Sequence, residues 1–165
     1  MLGTATLKVT TPSDREVQMT RVFDAPRRLV FEALTKPELL KRWFHGPPGW
    51  ELIVCEFDAR VGGAYRYVWR GPEGAEMGMG GTLREIKPPE RIVSTEKFDQ
   101  SWYPGEAIGT IELAEQGGKT TLTMTVRYDS REARDVALKS GMDQGVSAGY
   151  DSLAQLLETL GQESK

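Results

Sequence analysis

The 165 residues carry 21 basic and 24 acidic side chains, a formal net charge of −3, 39% hydrophobic residues and 27% charged ones. This is the balance of a globular domain with a real core, and it lacks the basic stripe that marks a nucleic-acid binder. One cysteine, Cys55, excludes an internal disulfide, no apolar run approaches the ~20 residues of a membrane span, and the absence of asparagine leaves no N-glycosylation site.

Residues 1–15 are Thr-rich and weakly patterned, so they read as an arm or an edge strand. Glu16 to Phe23 alternates, with Val17, Met19, Arg21 and Phe23 on one side, and predicts a first strand. Asp24-Ala25-Pro26 then opens a short helix, with Asp24 as candidate cap and Pro26 tolerated in the first turn. Leu29, Val30, Phe31, Ala33 and Leu34 form its buried side. Thr35 and Pro37 start a second short helix that presents Leu39, Leu40, Trp43 and Phe44. His45-Gly46-Pro47-Pro48-Gly49 ends it in a loop.

Six further strand-like runs follow: Glu51–Asp58, Ala64–Arg70, Met77–Ile86, Arg91–Phe98, Glu106–Glu115 and Thr120–Tyr128. Short Gly- and Pro-rich turns between them favour antiparallel neighbours. Tyr65, Tyr67 and Trp69 share one face of the clearest run, with Arg66 and Arg70 on the other, so one face is buried and one is wet.

From Ser130 to Leu160 the period changes to that of a helix. Met142, Val146, Tyr150, Leu153, Leu157 and Leu160 recur at gaps of three or four. Asp129 with Glu132 forms a candidate capping box, and Gly161 is a natural stop. One continuous helix here would be roughly 45 Å long at ~1.5 Å per residue. A helix that long needs a wide cover. The expected fold is α+β, a seven-stranded antiparallel sheet wrapped around the C-terminal helix, with residues 16–161 as one domain and 162–165 as a tail.

The pattern resembles the helix-grip superfamily of START lipid-transfer domains, plant Bet v allergens and polyketide cyclases. Within it, the chain looks like bacterial homologues of the heat-shock-protein-90 ATPase activator. The likeness rests on Phe23-Asp24-Ala25-Pro26, Val30-Phe31-Glu32-Ala33-Leu34-Thr35 and Pro37-Glu38-Leu39-Leu40-Lys41-Arg42-Trp43. It continues through Gly62-Gly63-Ala64-Tyr65-Arg66-Tyr67, Arg70-Gly71-Pro72-Glu73-Gly74 and Pro88-Pro89-Glu90-Arg91-Ile92-Val93. It closes on Gly141-Met142-Asp143-Gln144-Gly145 and Leu153-Ala154-Gln155-Leu156-Leu157. The chain departs from the family pattern at His45, which intervenes before Gly46-Pro47, and at Val146, where an aromatic is common. The Met77-Gly78-Met79-Gly80-Gly81 stretch is also unusually small and flexible.

The resemblance implies a cavity between sheet and helix. Its candidate lining is Trp43, Phe44, His45, Phe57, Tyr65, Tyr67, Trp69, Met79, Phe98, Trp102, Met142, Val146 and Tyr150, with Met77 and Met124 as further adaptable thioethers. The same residue types would also fill an ordinary core. His45, the single histidine, is a candidate acid or base at the mouth, set against the plainer reading of a loop histidine. Gly118-Lys119-Thr120 imitates the end of a phosphate loop, but Leu113 stands where that motif needs glycine and the segment joins two strands. One Cys and one His give no metal-site spacing, and no cofactor is expected.

The leading expectation is a cytoplasmic, non-catalytic binder of a small apolar or aromatic molecule, active in stress response or detoxification. Access would lie near the loops 43–50 and 100–105. The first alternative is a protein-interaction module that co-activates a chaperone ATPase, with Arg66, Arg70, Arg84 and Arg91 receiving a partner's carboxylates. The second is a cyclase- or hydrolase-like enzyme using His45 or a pocket carboxylate, Glu96 or Asp99. The expected partners are a small apolar molecule and, in the first alternative, a chaperone, with no nucleic acid and no membrane span. A monomer and an edge-strand homodimer are equally compatible with the sequence.

Overall fold

The computed structural model describes residues 6–163 except 47, 101, 102 and 104. Trp102, expected in the lining, therefore lies outside the described residues.

The elements run β1 (Lys8–Thr10), β2 (Glu16–Phe23), α1 (Arg27–Thr35), α2 (Pro37–Trp43), β3 (Glu51–Phe57), β4 (Ala64–Arg70), β5 (Glu76–Lys87), β6 (Arg91–Phe98), β7 (Ala107–Gln116), β8 (Lys119–Arg127), α3 (Arg131–Lys139) and α4 (Met142–Glu163). The fold is the expected α+β helix grip, but the sheet has eight strands instead of seven, in the order β1-β2-β8-β7-β6-β5-β4-β3. The extra strand comes from the N-terminal arm, where Val9 pairs with Met19 at the sheet edge. All neighbours are antiparallel. The long crossover through α1 and α2 carries the chain from β2 to the far edge at β3, so β2 is left to pair with β8.

Register sorts the side chains into two faces. Val17, Met19, Arg21 and Phe23 on β2 lie opposite Val126, Met124, Leu122 and Thr120 on β8. Tyr65, Tyr67 and Trp69 on β4 lie opposite Gly81, Met79 and Met77 on β5. This inner face meets α4, while the outer face is rich in threonine and charge. Irregularities at Leu52/Val54 and Leu83/Glu85 bend the strands on that side.

Five local expectations are corrected. The C-terminal helix is two helices, because Gly141 sits at φ 84°, a conformation that favours glycine and ends a helix. Its cap is Ser130, whose hydroxyl accepts from the Ala133 N–H, instead of Asp129, and α4 runs past Gly161 to Glu163. Neither Asp24 nor Thr35 caps a helix: the flanking residues of α1 and α2 are Pro26 and Lys36. Glu115 of β7 instead accepts from the Arg27 N–H at 2.7 Å, so a distant carboxylate satisfies the orphan donor. The Thr35 hydroxyl turns back to the Phe31 carbonyl at 2.8 Å.

Candidate functional site

The C-terminal half of α4 is held firmly. Leu153 and Leu157 are 0% and 3% exposed, and they pack in one apolar cluster with Phe23, Leu122, Val30 and Leu40. Around them Trp43 donates its indole N–H to the Ala33 carbonyl at 2.8 Å, and Tyr150 sits edge-on to Phe23 with centroids 5.7 Å apart. This half behaves as solid core.

The N-terminal half of α4 differs. The buried residues divide into two clusters, the one just described and a second built on Val17, Met19, Ala107, Val126, Tyr103, Tyr128, Ala133 and Ala137. Leu7, Met124 and Val146 touch both, so they mark a seam between the two. Along that seam Met142 and Val146 from α4, and Ser94, Glu96, Phe98, Gly109, Ile111 and Met124 from β6, β7 and β8, are only half-buried. These three strands lie in the interior of the sheet, and the register places Glu96 opposite Ala107, Ser94 opposite Gly109 and Ile111 opposite Met124. Close-packed interiors leave few such positions incompletely covered.

The aromatic residues of β4 form the wall beside this seam. Phe44 lies edge-on to both Tyr67 and Trp69, each with centroids 5.1 Å apart, and its carbonyl accepts from the Trp69 indole at 2.8 Å. Tyr65 packs 5.3 Å from Tyr67 and donates its hydroxyl to the Thr95 carbonyl at 2.6 Å. Phe57 and Met79 flank this group and are half-buried. Among the described residues, then, the indoles of Trp43 and Trp69 and the phenol of Tyr65 are already engaged. The Tyr67 hydroxyl has no hydrogen-bond partner among them, and burial raises its pKa well above the ordinary phenol value.

Glu96 is the chemically distinct group. Its Oε2 lies 3.8 Å, and Ser94 Oγ 3.9 Å, from the point a Cβ on Gly109 would occupy. The small residue beneath makes room for both. Among the described residues no cation and no hydrogen-bond donor sits on the Glu96 carboxylate. Burial pushes its pKa up to about 7 although the side chain keeps part of its surface open. Desolvation by the surrounding protein disfavours the charged form even where part of the side chain stays accessible. Its charge in turn acts on Tyr65, Tyr103 and Tyr128, each raised first by burial and then by Glu96.

Asp99, the other carboxylate expected in a pocket, belongs to the surface. It forms a bidentate pair with Arg66 at 2.7 and 2.5 Å, and that guanidinium holds its carboxyl below the usual range. Arg70 and Arg91 are likewise engaged, with Glu76 and with Glu85 and Glu112. His45 lies half-buried in the loop after α2, with Nδ1 3.2 Å from the Gly46 carbonyl oxygen and no carboxylate placed on it among the described residues. Two open hollows lie elsewhere, one at Leu29, Glu32, Leu39 and Leu160, the other at Val9, Asp143, Ser147 and Asp151. Neither encloses the apolar surface a small-molecule site needs. Among the described residues no three His, Cys, Asp or Glu side chains converge as a metal site, and no helix is long and apolar enough to cross a membrane.

The structure thus gathers Phe98, Met142 and Val146 of the expected lining along the seam, with Phe44, Tyr65, Tyr67 and Trp69 as the wall beside it, flanked by Phe57 and Met79. Trp43 and Tyr150 are anchors of the solid half. Sequence reasoning missed Ser94, Gly109, Ile111, Tyr103 and Tyr128. Strand alternation does place Ser94, Glu96 and Phe98 on one face, which was the available signal.

Residues 24–158 match the family described as Activator of Hsp90 ATPase homolog 1-like protein. A solved structure from Rhodobacter sphaeroides is 32% identical, with 93% of this chain and 99% of that one covered and a TM-score of 0.88. One from Chromobacterium violaceum is 31% identical, covering 88% of this chain and 99% of that one at a TM-score of 0.71. A protein of the same family from Silicibacter pomeroyi, 20% identical over 87% of this chain and 98% of its own with a TM-score of 0.72, shares the fold. No curated protein matches the chain.

Proposed function

The chain belongs to the Activator of Hsp90 ATPase homolog 1-like family, whose members bind hydrophobic ligands or act as chaperone co-activators, and from that footing we propose that it binds a small apolar or aromatic molecule between the sheet and the N-terminal half of α4. The observation that supports this most is the seam: the core is split in two, and interior-strand residues between the halves stay half-buried. Its walls are mainly thioether, aliphatic and aromatic, with the Glu96 carboxylate and the Ser94 and Tyr67 hydroxyls among them, the mixture typical of ligand sites.

Burial drives binding in this reading. A two-ring molecule hiding roughly 200 Å² gains about 5 kcal/mol at ~25 cal/mol per Å2. About 5 kcal/mol corresponds to roughly 0.2 mM, and the cost of immobilising the molecule weakens that, so millimolar affinity is expected for a generic probe.

The co-activator reading lacks a comparable observation. Among the described residues the exposed large apolar side chains are Val9, Val22, Val61, Met77 and Val136, which belong to five separate segments. Singly exposed apolar side chains are normal on a protein surface and do not by themselves mark a partner site.

Native mass spectrometry of freshly purified protein tests the proposal. A co-purifying small molecule that is lost in a Val146→Trp variant supports it. A bare protein that also gains no thermal stability from any apolar compound argues against it.

A further inference from the structure

Among the described residues, the inner face carries Arg21 and Glu96 as charged side chains away from its ends. Arg21 is already paired with Asp151 of α4. Glu96 lies beside the seam, above Gly109, with no cation or donor on it among the described residues. A carboxylate largely surrounded by protein and without a partner is costly, and it either takes a proton or receives a cation.

Resting on the small-molecule reading above, we propose that the ligand held under α4 is an apolar amine, its protonated nitrogen meeting the Glu96 carboxylate and its apolar body lying along Met124, Met142 and Val146. The groups that face Glu96 favour a cation over the alternatives. Ser94 on β6, Tyr65 on β4, Tyr103 before β7 and Tyr128 after β8 supply neutral dipoles only. On the helix side Met142 and Val146 are apolar, and the Tyr128 hydroxyl is turned to the Met142 sulfur at 3.3 Å. Glu106, which acts on Tyr65, adds negative charge on this side. An anionic ligand would be repelled, and a neutral alcohol would leave the carboxylate charge uncompensated.

Three probes of one shape separate these cases: 1-naphthylmethylamine, 1-naphthalenemethanol and 1-naphthoic acid, titrated calorimetrically into the full chain. At about pH 8 the amine is expected to bind about tenfold or more tightly than the alcohol, the worth of one charge-assisted hydrogen bond. At about pH 5.5, where Glu96 holds a proton, that advantage falls by about tenfold. Glu96→Gln removes the amine preference, bringing the ratio of amine to alcohol affinity to about one. The wild-type pH series reads the same effect without relying on the variant.

Equal binding of amine and alcohol, tighter binding of the acid, or an amine preference that survives Glu96→Gln overturns the inference and leaves the small-molecule reading standing. Failure of all three probes to bind overturns both.

Discussion

Arg21 of β2 reaches Asp151 of α4 at 2.5 Å, the guanidinium 1% exposed and the carboxylate 63% exposed. The pair ties the first long strand to the middle of the final helix. The Arg21 ion also sits over the Phe23 ring at 5.3 Å, and its Nε has no partner among the described residues. The buried cation therefore depends on one surface carboxylate for its charge balance.

Asp151→Ala should accordingly destabilise the protein by about 1–3 kcal/mol, because it strands a buried charge. Arg21→Met should cost less, since it removes the charge and keeps the volume. In the Arg21→Met background, Asp151→Ala should cost almost nothing. A double-mutant cycle by urea unfolding checks the coupling, and additive single effects would contradict it.

Glu96 makes stability depend on pH. Its pKa is about 7 in the fold against an ordinary value of 4.5, so the folded state binds more protons than the unfolded state between those limits. Its contribution is fully present below the ordinary value and is lost as pH rises through the folded one. At ~1.4 kcal/mol per unit the effect is a few kcal/mol at most. Glu96→Gln should lack this slope, so its stability relative to wild type should rise between about pH 5 and pH 8. Parallel pH profiles for the two proteins would contradict the placement of this carboxylate.

The seam has room for a methyl group at Gly109, where a new Cβ would find its nearest neighbour at 3.8 Å. Gly109→Ala should stabilise the protein by about 0.5–1 kcal/mol through the unfolded chain's lost freedom. Gly81→Ala on β5 should do the reverse, because its Cβ would run into the Thr95 carbonyl oxygen. Thermal unfolding of the two variants reads opposite signs.

Much of the fold was legible because it follows from local periodicity. The alternation at Tyr65, Tyr67 and Trp69 marks a half-buried strand, and the three-and-four spacing from Tyr150 to Leu160 marks the gripping face. What escaped depends on distant pairing. Nothing near Arg27 signals that Glu115 will satisfy its N–H. Nothing near Val17 signals its pairing with Val126. The helix break was half visible: Gly141 stood out by composition, but only its positive φ makes it a break. The site was the hardest part, because Met, Val and aromatic residues fill a core and line a cavity equally well. Trp43 and Val146 looked alike in the sequence, and only burial separates them.

Gly141→Ala tests that break directly. No neighbour lies within 4 Å of a Cβ there, so the cost is purely that of the left-handed backbone, about 1–2 kcal/mol. Chemical denaturation should read that loss, and a neutral result would mean that α3 and α4 run on as one rod.

The most direct test of the central claim is the methyl spectrum of the methionines, recorded by carbon–proton NMR while 1-naphthalenemethanol is added. Met124 and Met142, which line the seam, should shift and saturate together, while Met77, exposed at 38%, should stay in place. Shifts confined to Met77, or none at all at saturating probe, would contradict a ligand space under the N-terminal half of α4.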